Sequence, residues 1–343
     1  MAFENVPIWL NLLVFAASAA VVWGAGTRLA TYVSGIAERT GAGHAFMGMV
    51  MLGGITSLPE AATVASASYA GNPQLAVNNL LGSASVNVVL LAVADGVLGR
   101  SALTSVVAKP STLLQGVLGV LLLAAVAAAI TVGDIELLGF GLWSSLLLAG
   151  CIAALWLASR YEGRQTWQVV DDHRRKAGGT NEPKVESSLR QLTVRTTAAA
   201  GFILVAGFLL AGTGDAIAMQ SGLGTGIVGF ALVGFATSLP EMSAAVSAVR
   251  IGRYEMAVGD VFGTNIVNIA LIFLADVVYD SGPVLALAGS FETLAALLGI
   301  ALTGIFLVGL LERENRTVLK MGYDSLAAIA VYVVGLIMLF SIE

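Results

Sequence analysis

The 343-residue chain is 57% hydrophobic and only 11% charged, with a net charge of -5 and a mean hydropathy of +0.88. That balance excludes an ordinary soluble domain and supplies no basic surface for nucleic acid; it describes a polytopic membrane protein whose surroundings are the lipid bilayer. Forty glycines suit helices packed closely in lipid, where small residues let backbones approach.

Met1 to Pro7 carries Glu4 and no basic residue, so it lacks the positive leader of a cleaved signal peptide, and residues 8–30 are expected to form a retained first span. Further apolar runs long enough to cross a bilayer fall at 41–70, 74–98, 113–130 and 135–158, then at 196–219, 222–249, 255–279, 292–311 and 323–341. The expected fold is therefore all-α, with ten transmembrane helices. Residues 1–159 make an N-terminal five-helix half and 196–343 a C-terminal one. Cys151, the only cysteine, lies inside an apolar span and reads as a small buried hydrophobe.

Between the halves, 160–195 holds eight basic and five acidic residues with Gly178-Gly179 and Pro183, and reads as a solvated connector that also fixes topology. Arg174-Arg175-Lys176 within it would also suit anionic lipid headgroups. The stretch is too short for a folded regulatory domain of ordinary size.

Basic residues concentrate in cytoplasmic loops, which tests the span count. With the N-terminus outside, Arg28 and Arg39, Arg100 and Lys109, the connector, Arg250 and Arg253, and Arg313, Arg316 and Lys320 share the cytoplasmic side. All 17 basic residues then fall there, and the opposite loops have none. Both termini are thus expected outside a cytoplasmic membrane, with 160–195 inside.

Within the halves, 53–95 recurs at 234–276, displaced by 181 residues without a gap, and 17 of the 43 aligned residues are identical. Thr56-Ser57-Leu58-Pro59-Glu60 lies on Thr237-Ser238-Leu239-Pro240-Glu241, Gly82-Ser83 on Gly263-Thr264, Asn87 on Asn268 and Asp95 on Asp276. Five spans separate equivalent positions, an odd number, so the two copies enter the membrane from opposite sides. Paired inverted repeats with broken helices are the pattern expected of secondary transporters.

Thr56, Ser57 and Glu60 stand at i, i+1 and i+4, on roughly one side of a helix. Pro59 removes a backbone donor and disfavours helical dihedrals at Leu58, so a helix broken just before its glutamate is expected, with carbonyls near Gly53 to Thr56 released. Ser83 and Asn87, at i and i+4, present a hydroxyl and an amide oxygen on another helix face. Carboxylate, hydroxyl, amide and carbonyl oxygens are hard donors of the kind calcium and sodium prefer.

An ionised side chain at the bilayer centre costs about 2.5 to 3.5 kcal/mol by insertion scales. No Lys or Arg lies at the depth of Glu60 and Glu241, so ions from outside the chain must neutralise them. One Ca²⁺ would balance both, with carbonyls near Thr56 and Thr237 completing its shell. Na⁺ would take the hydroxyls of Ser57, Ser83, Ser238 and Thr264 and share the carboxylates, which makes the two occupancies exclusive. Protons alternating with Ca²⁺ on the same glutamates are the second reading; a passive cation channel or a non-transporting relative is the third. Asp95 and Asp276, at outer ends of spans, read as solvated at the interface. His44 and His173 have no metal-ligand partner at useful spacing, and Met47, Met49 and Met51 read as core. The chain shows no nucleotide-binding loop, catalytic triad or zinc pattern, so neither an enzyme nor a resident cofactor is expected.

Gly53-Gly54-Ile55-Thr56-Ser57-Leu58-Pro59-Glu60 with Gly82 to Asn87, and Gly234-Phe235-Ala236-Thr237-Ser238-Leu239-Pro240-Glu241 with Gly263 to Asn268, resemble the paired alpha repeats of the calcium/cation antiporter superfamily, sodium/calcium exchanger type. The resemblance is strong over roughly a quarter of the chain. It implies electrogenic exchange of several Na⁺ for one Ca²⁺, the first and sixth spans sliding across a fixed core, in a protein expected to work as a monomer. It also implies ion ligands at Glu60 and Glu241, at Gly53, Thr56, Ser57, Gly234, Thr237 and Ser238, and at Ser83, Asn87, Thr264 and Asn268. Asn268 stands where such exchangers often carry an acid. Asn78 and Ala84 depart from the usual Gly-Asn/Asp-x-x-Gly-Ser-Asn segment, which is intact from Gly259 to Asn265.

Overall fold

Proline and glycine set the ends of the helices. Helix α1 (Ile8–Thr40) follows Pro7 and stops where Gly41 turns left-handed, at φ 72°. Helix α5 (Pro73–Leu98) starts on a proline, is capped by the Asn72 side chain accepting from the Leu75 amide at 3.2 Å, and ends at Gly99, φ 74°. A computed structural model describes residues 3, 5–99, 101–107, 109–137, 139–161, 187–221, 228–313, 317–318 and 321–342. Most of the 160–195 connector, with Arg174-Arg175-Lys176 and His173, lies outside the described residues.

Between α1 and α5 run a short helix α2 (His44–Met47), a π-helical turn (Gly48–Leu52), α3 (Gly53–Thr56) and α4 (Leu58–Tyr69). The first half continues with α6 (Leu103–Val106), α7 (Pro110–Val132), a two-residue hairpin of β1 (Glu136–Leu137) and β2 (Phe140–Gly141), and α8 (Leu142–Tyr161). The second half repeats this series as α9 (Leu189–Ser221), a π-helical turn (Val228–Val233), α10 (Gly234–Thr237), α11 (Leu239–Arg250) and α12 (Tyr254–Val278). A 3₁₀ turn (Val284–Leu287), α13 (Ser290–Glu312), the hairpin of β3 (Thr317–Val318) and β4 (Met321–Gly322), and α14 (Tyr323–Ile342) complete it. Elements recur 181 residues apart to within one residue, so the duplication extends well beyond 53–95.

Among the described residues eight helices are long and apolar enough to cross a membrane, and α2 to α4 add a ninth as a pair bent by 40°. The segment 228–250 has the same break at the same place in its half. Three expectations are corrected. The break falls at Ser57 and Ser238, with ψ of 1° and 4°, while Leu58 and Leu239 already open the next helix: a proline at the second helical position constrains only the turn before it. The fifth apolar run is helical only from Leu142, because Ile135 to Gly141 turn back as a hairpin. The sixth helix begins at Leu189, inside the stretch read as connector.

Helices α5 and α12 are buried on nearly all sides, whereas α1, α9 and α14 keep apolar side chains such as Trp9, Leu13, Phe202, Val205, Ile337 and Phe340 on the outside. This is the layering of a bundle in lipid, where the inner helices gain packing contacts and the outer faces meet acyl chains. The halves interlock: α1 packs along α11, and α9 along α4. A Cβ at Gly26 would strike the Ser243 hydroxyl, and one at Gly207 would strike the Pro59 ring, so each long helix uses a glycine to lie against the other half's broken helix.

The outer ends of α5 and α12 are pinned by buried carboxylates. Asp95 accepts from the amides of Leu103 and Gly322, both at 2.6 Å, and from the Ser325 hydroxyl at 2.7 Å. Asp276 accepts from the Val284 amide at 2.9 Å, from the Gly141 amide and from the Ser144 hydroxyl at 2.8 Å. Both aspartates are buried, at 0% and 3% exposure, which overturns the interfacial reading. Each is a staple joining the end of an inner helix to a short helical turn of its own half and to the hairpin that precedes the other half's last helix.

Candidate functional site

At the centre, the breaks of one half meet the inner helix of the other. A Cβ on Gly53 would lie 2.8 Å from the Thr264 amide nitrogen, and one on Gly234 3.0 Å from that of Ser83. A Cβ on Gly82 would overlap the Phe230 backbone, and one on Gly263 that of Met49. These contacts come in exchanged pairs: wherever residue i of the first copy meets j of the second, their 181-residue equivalents meet too. Reciprocal contacts of that kind are what a two-fold relation produces.

The hydroxyls obey the same exchange. Thr56 Oγ1 lies 3.4 Å from Thr264 Oγ1, and Ser83 Oγ 3.2 Å from Thr237 Oγ1. Ser83 donates to the Gly234 carbonyl at 3.3 Å and Thr264 to the Gly53 carbonyl at 3.5 Å. Thr56 donates to the Leu52 carbonyl at 2.9 Å and Ser57 to the Gly53 carbonyl at 2.7 Å. Hydroxyl protons are thereby spent on backbone carbonyls around the breaks, leaving oxygen lone pairs for the interior. Pro59 and Pro240 withhold the amide hydrogens that would otherwise reach the carbonyls of Ile55 and Ala236.

Glu60 and Glu241 are completely buried, and none of their four carboxylate oxygens has a hydrogen-bond partner. Glu60 lies beside Thr237 and Ser83, and Glu241 beside Thr56, without a hydrogen bond closing in either case. Glu241 feels the charge of Glu60. The buried charged side chains among the described residues are all acidic. An unpaired buried carboxylate is costly, and four unpartnered oxygens have the chemistry to accept a cation. Among the described residues, no three His, Cys, Asp or Glu side chains already stand at metal-ligand spacing.

The remaining expected residues divide. Asn87 donates through Nδ2 to Asn265 Oδ1 at 3.0 Å, while its own Oδ1 is buried and unpartnered. Asn265 in turn donates to the Ala84 carbonyl at 3.0 Å. The equivalent partner for Asn268 would stand at position 84, where alanine has no amide, and both polar atoms of Asn268 are buried without a partner. Ser238 Oγ is buried and unpartnered, whereas Ser57 Oγ is turned to its own helix.

Two polar residues on the inner helices were not anticipated as site residues. Asn79 Oδ1 accepts from Thr237 Oγ1 at 3.3 Å. Its equivalent, Asp260, is a carboxylate, completely buried, with both oxygens unpartnered, beside Thr56 and within electrostatic reach of Glu241. An acidic residue inside the apolar run 255–279 was itself the signal that would have found it.

Comparison with known proteins agrees with this geometry. The sequence model of the family described as "Sodium/calcium exchanger protein" matches residues 10–167 and 192–341. The putative antiporter CaxA of Alkalimonas amylolytica is 27% identical over 302 residues, covering 86% of this chain and 89% of that protein. The sodium/calcium exchanger MaX1 of Methanosarcina acetivorans is 32% identical over 111 residues, 31% of each chain. A solved structure of the sodium-calcium exchanger NCX_Mj, soaked with Na⁺ and Sr²⁺, has the same fold, with a TM-score of 0.69 and 18% identity over 96% of this chain and 98% of that one. On the extent of the family match and the shared fold, the chain belongs to the sodium/calcium exchanger protein family of membrane antiporters.

Proposed function

We propose that the protein exchanges Na⁺ for Ca²⁺ across the cytoplasmic membrane by alternating access, as a transporter with no resident cofactor. The observation that carries this reading is the set of four buried, unpartnered oxygens on Glu60 and Glu241, in a core whose buried charges are all acidic among the described residues. Calcium takes six to eight oxygen ligands. The two glutamates, the backbone freed at the breaks, the Asn87 and Asn268 side-chain oxygens and entering water supply them. Sodium uses the hydroxyls of Thr56, Ser57, Ser83, Thr237, Ser238 and Thr264, with the Gly53 and Gly234 carbonyls, and shares the glutamates. Shared carboxylates make the two cargoes exclusive, and exclusive occupancy couples their fluxes.

In this reading the chain crosses the membrane ten times, as two inverted five-helix halves, with Val228 to Arg250 as the seventh span. The termini lie outside and 160–195 inside, which puts all 17 basic residues on the cytoplasmic side. Helices α1 and α9, each resting on the other half's broken helix at Gly26 and Gly207, form the moving layer, and one chain suffices. The test is ⁴⁵Ca²⁺ uptake into proteoliposomes loaded with sodium, with and without a pH gradient. Uptake driven by the outward sodium gradient is expected; uptake that ignores sodium and follows the pH gradient would contradict sodium coupling.

A further inference from the structure

We infer that Asp260, Glu241 and the Thr56 hydroxyl form a sodium site that shares Glu241 with the pair of glutamates taking calcium; this rests on the exchange reading above and assigns one of its cargo positions. Asp260 sits in the interior of α12 with 0% exposure, and neither carboxylate oxygen has a hydrogen-bond partner. A structural aspartate in this protein looks different: Asp95 and Asp276, equally buried, accept three hydrogen bonds each. Asp260 is therefore not serving as a staple.

Its neighbour explains what it lacks. Thr56 meets α12 at Thr264, one turn beyond Asp260, with 3.4 Å between the two hydroxyl oxygens, and its proton goes to the Leu52 carbonyl at 2.9 Å, which leaves its lone pairs for the interior. Two carboxyl groups without hydrogen-bond partners beside a hydroxyl whose proton is spent elsewhere form a pocket rich in acceptors, and a small cation satisfies such a pocket. The backbone there is closely packed: a Cβ on Gly48 would overlap the Met256 carbonyl and lie 3.0 Å from the Asp260 amide nitrogen, so α12 rests directly on the π-helical turn at this level.

The equivalent position in the first half provides the contrast. Asn79 is neutral and accepts the Thr237 hydroxyl at 3.3 Å. At this contact the two-fold relation breaks by the addition of a charge. Glu60 and Glu241 are balanced by one divalent ion; the third buried carboxylate adds a single charge that the divalent ion does not cancel, which favours a monovalent cation at Asp260. Because Glu241 also belongs to the calcium site, filling this one works against calcium.

The experiment is ⁴⁵Ca²⁺ uptake into proteoliposomes titrated with external Na⁺, comparing the wild type with Asp260→Asn, which installs the side chain already present at position 79. The variant is expected to keep sodium-gradient-driven uptake, to need several-fold more external Na⁺ for half-inhibition, and to show a Na⁺ dependence shallower by about one ion. An unchanged midpoint and slope would overturn the inference, as would a folded variant that has lost calcium uptake altogether, since Asp260 would then be a calcium ligand. Asp260→Ser, which removes the same charge with a smaller side chain, is expected to shift the same curve in the same direction, and it decides the matter if Asp260→Asn does not fold. A wild type whose uptake ignores sodium would defeat the exchange reading itself; a sodium-driven wild type with an unaltered Asp260→Asn curve defeats only this site.

Discussion

Replacing Asp95 with asparagine isolates the worth of one buried staple. Oδ1 still accepts from the Leu103 amide, but the second oxygen, which receives the Gly322 amide at 2.6 Å and the Ser325 hydroxyl at 2.7 Å, is exchanged for an –NH₂ group facing two donors. A buried donor left without an acceptor costs about 1 to 3 kcal/mol, so Asp95→Asn should destabilise the fold by about 2 to 6 kcal/mol. The equivalent change at Asp276 should cost less. There the Ser144 hydroxyl also reaches the Gly141 carbonyl at 2.9 Å and keeps that bond, which leaves one orphaned amide and about 1 to 3 kcal/mol. Thermal unfolding of the purified protein in detergent would rank the two variants. Equal losses, or a loss at Asp95 below about 0.5 kcal/mol, the range of an unremarkable surface change, would refute the staple argument.

Gly207→Ala should impair transport and stability more than Gly26→Ala. The added methyl meets the rigid Pro59 ring in the first case and the rotatable Ser243 hydroxyl in the second, and overpacking costs about 1 to 3 kcal/mol where nothing yields; melting curves and uptake rates would show the difference. Ala84→Asn should give Asn268 the amide partner that Asn87 already has in Asn265, raising the melting temperature by an amount equivalent to about 1 kcal/mol, unless position 84, at 1% exposure, has no space for it. A fall in melting temperature would show that packing, not the missing amide, governs that position.

The architecture was legible because membrane segments declare themselves by length and because the 181-residue repeat fixes their order. The breaks were legible within one residue, since Pro59 and Pro240 forbid one specific hydrogen bond each. The roles of Asp95 and Asp276 were not. Position at a span's end suggested solvent, and only the fold shows that the hairpin before α14 comes back to Asp95 and the hairpin before α8 to Asp276. The repeat itself obscured Asp260: attention to identical pairs passes over a position where the amide of Asn79 in one half corresponds to a carboxylate in the other. The hydroxyl directions were also beyond the sequence, because a threonine three residues before a proline says nothing about which carbonyl takes its proton.

Everything rests on Glu60 and Glu241 holding the travelling ions. The most direct measurement is sodium-driven ⁴⁵Ca²⁺ uptake by Glu60→Gln and Glu241→Gln, each reconstituted at equal amounts and checked for an intact elution profile. Both substitutions keep size and shape while removing a charge, so both should abolish exchange. Wild-type uptake in either one would contradict the account.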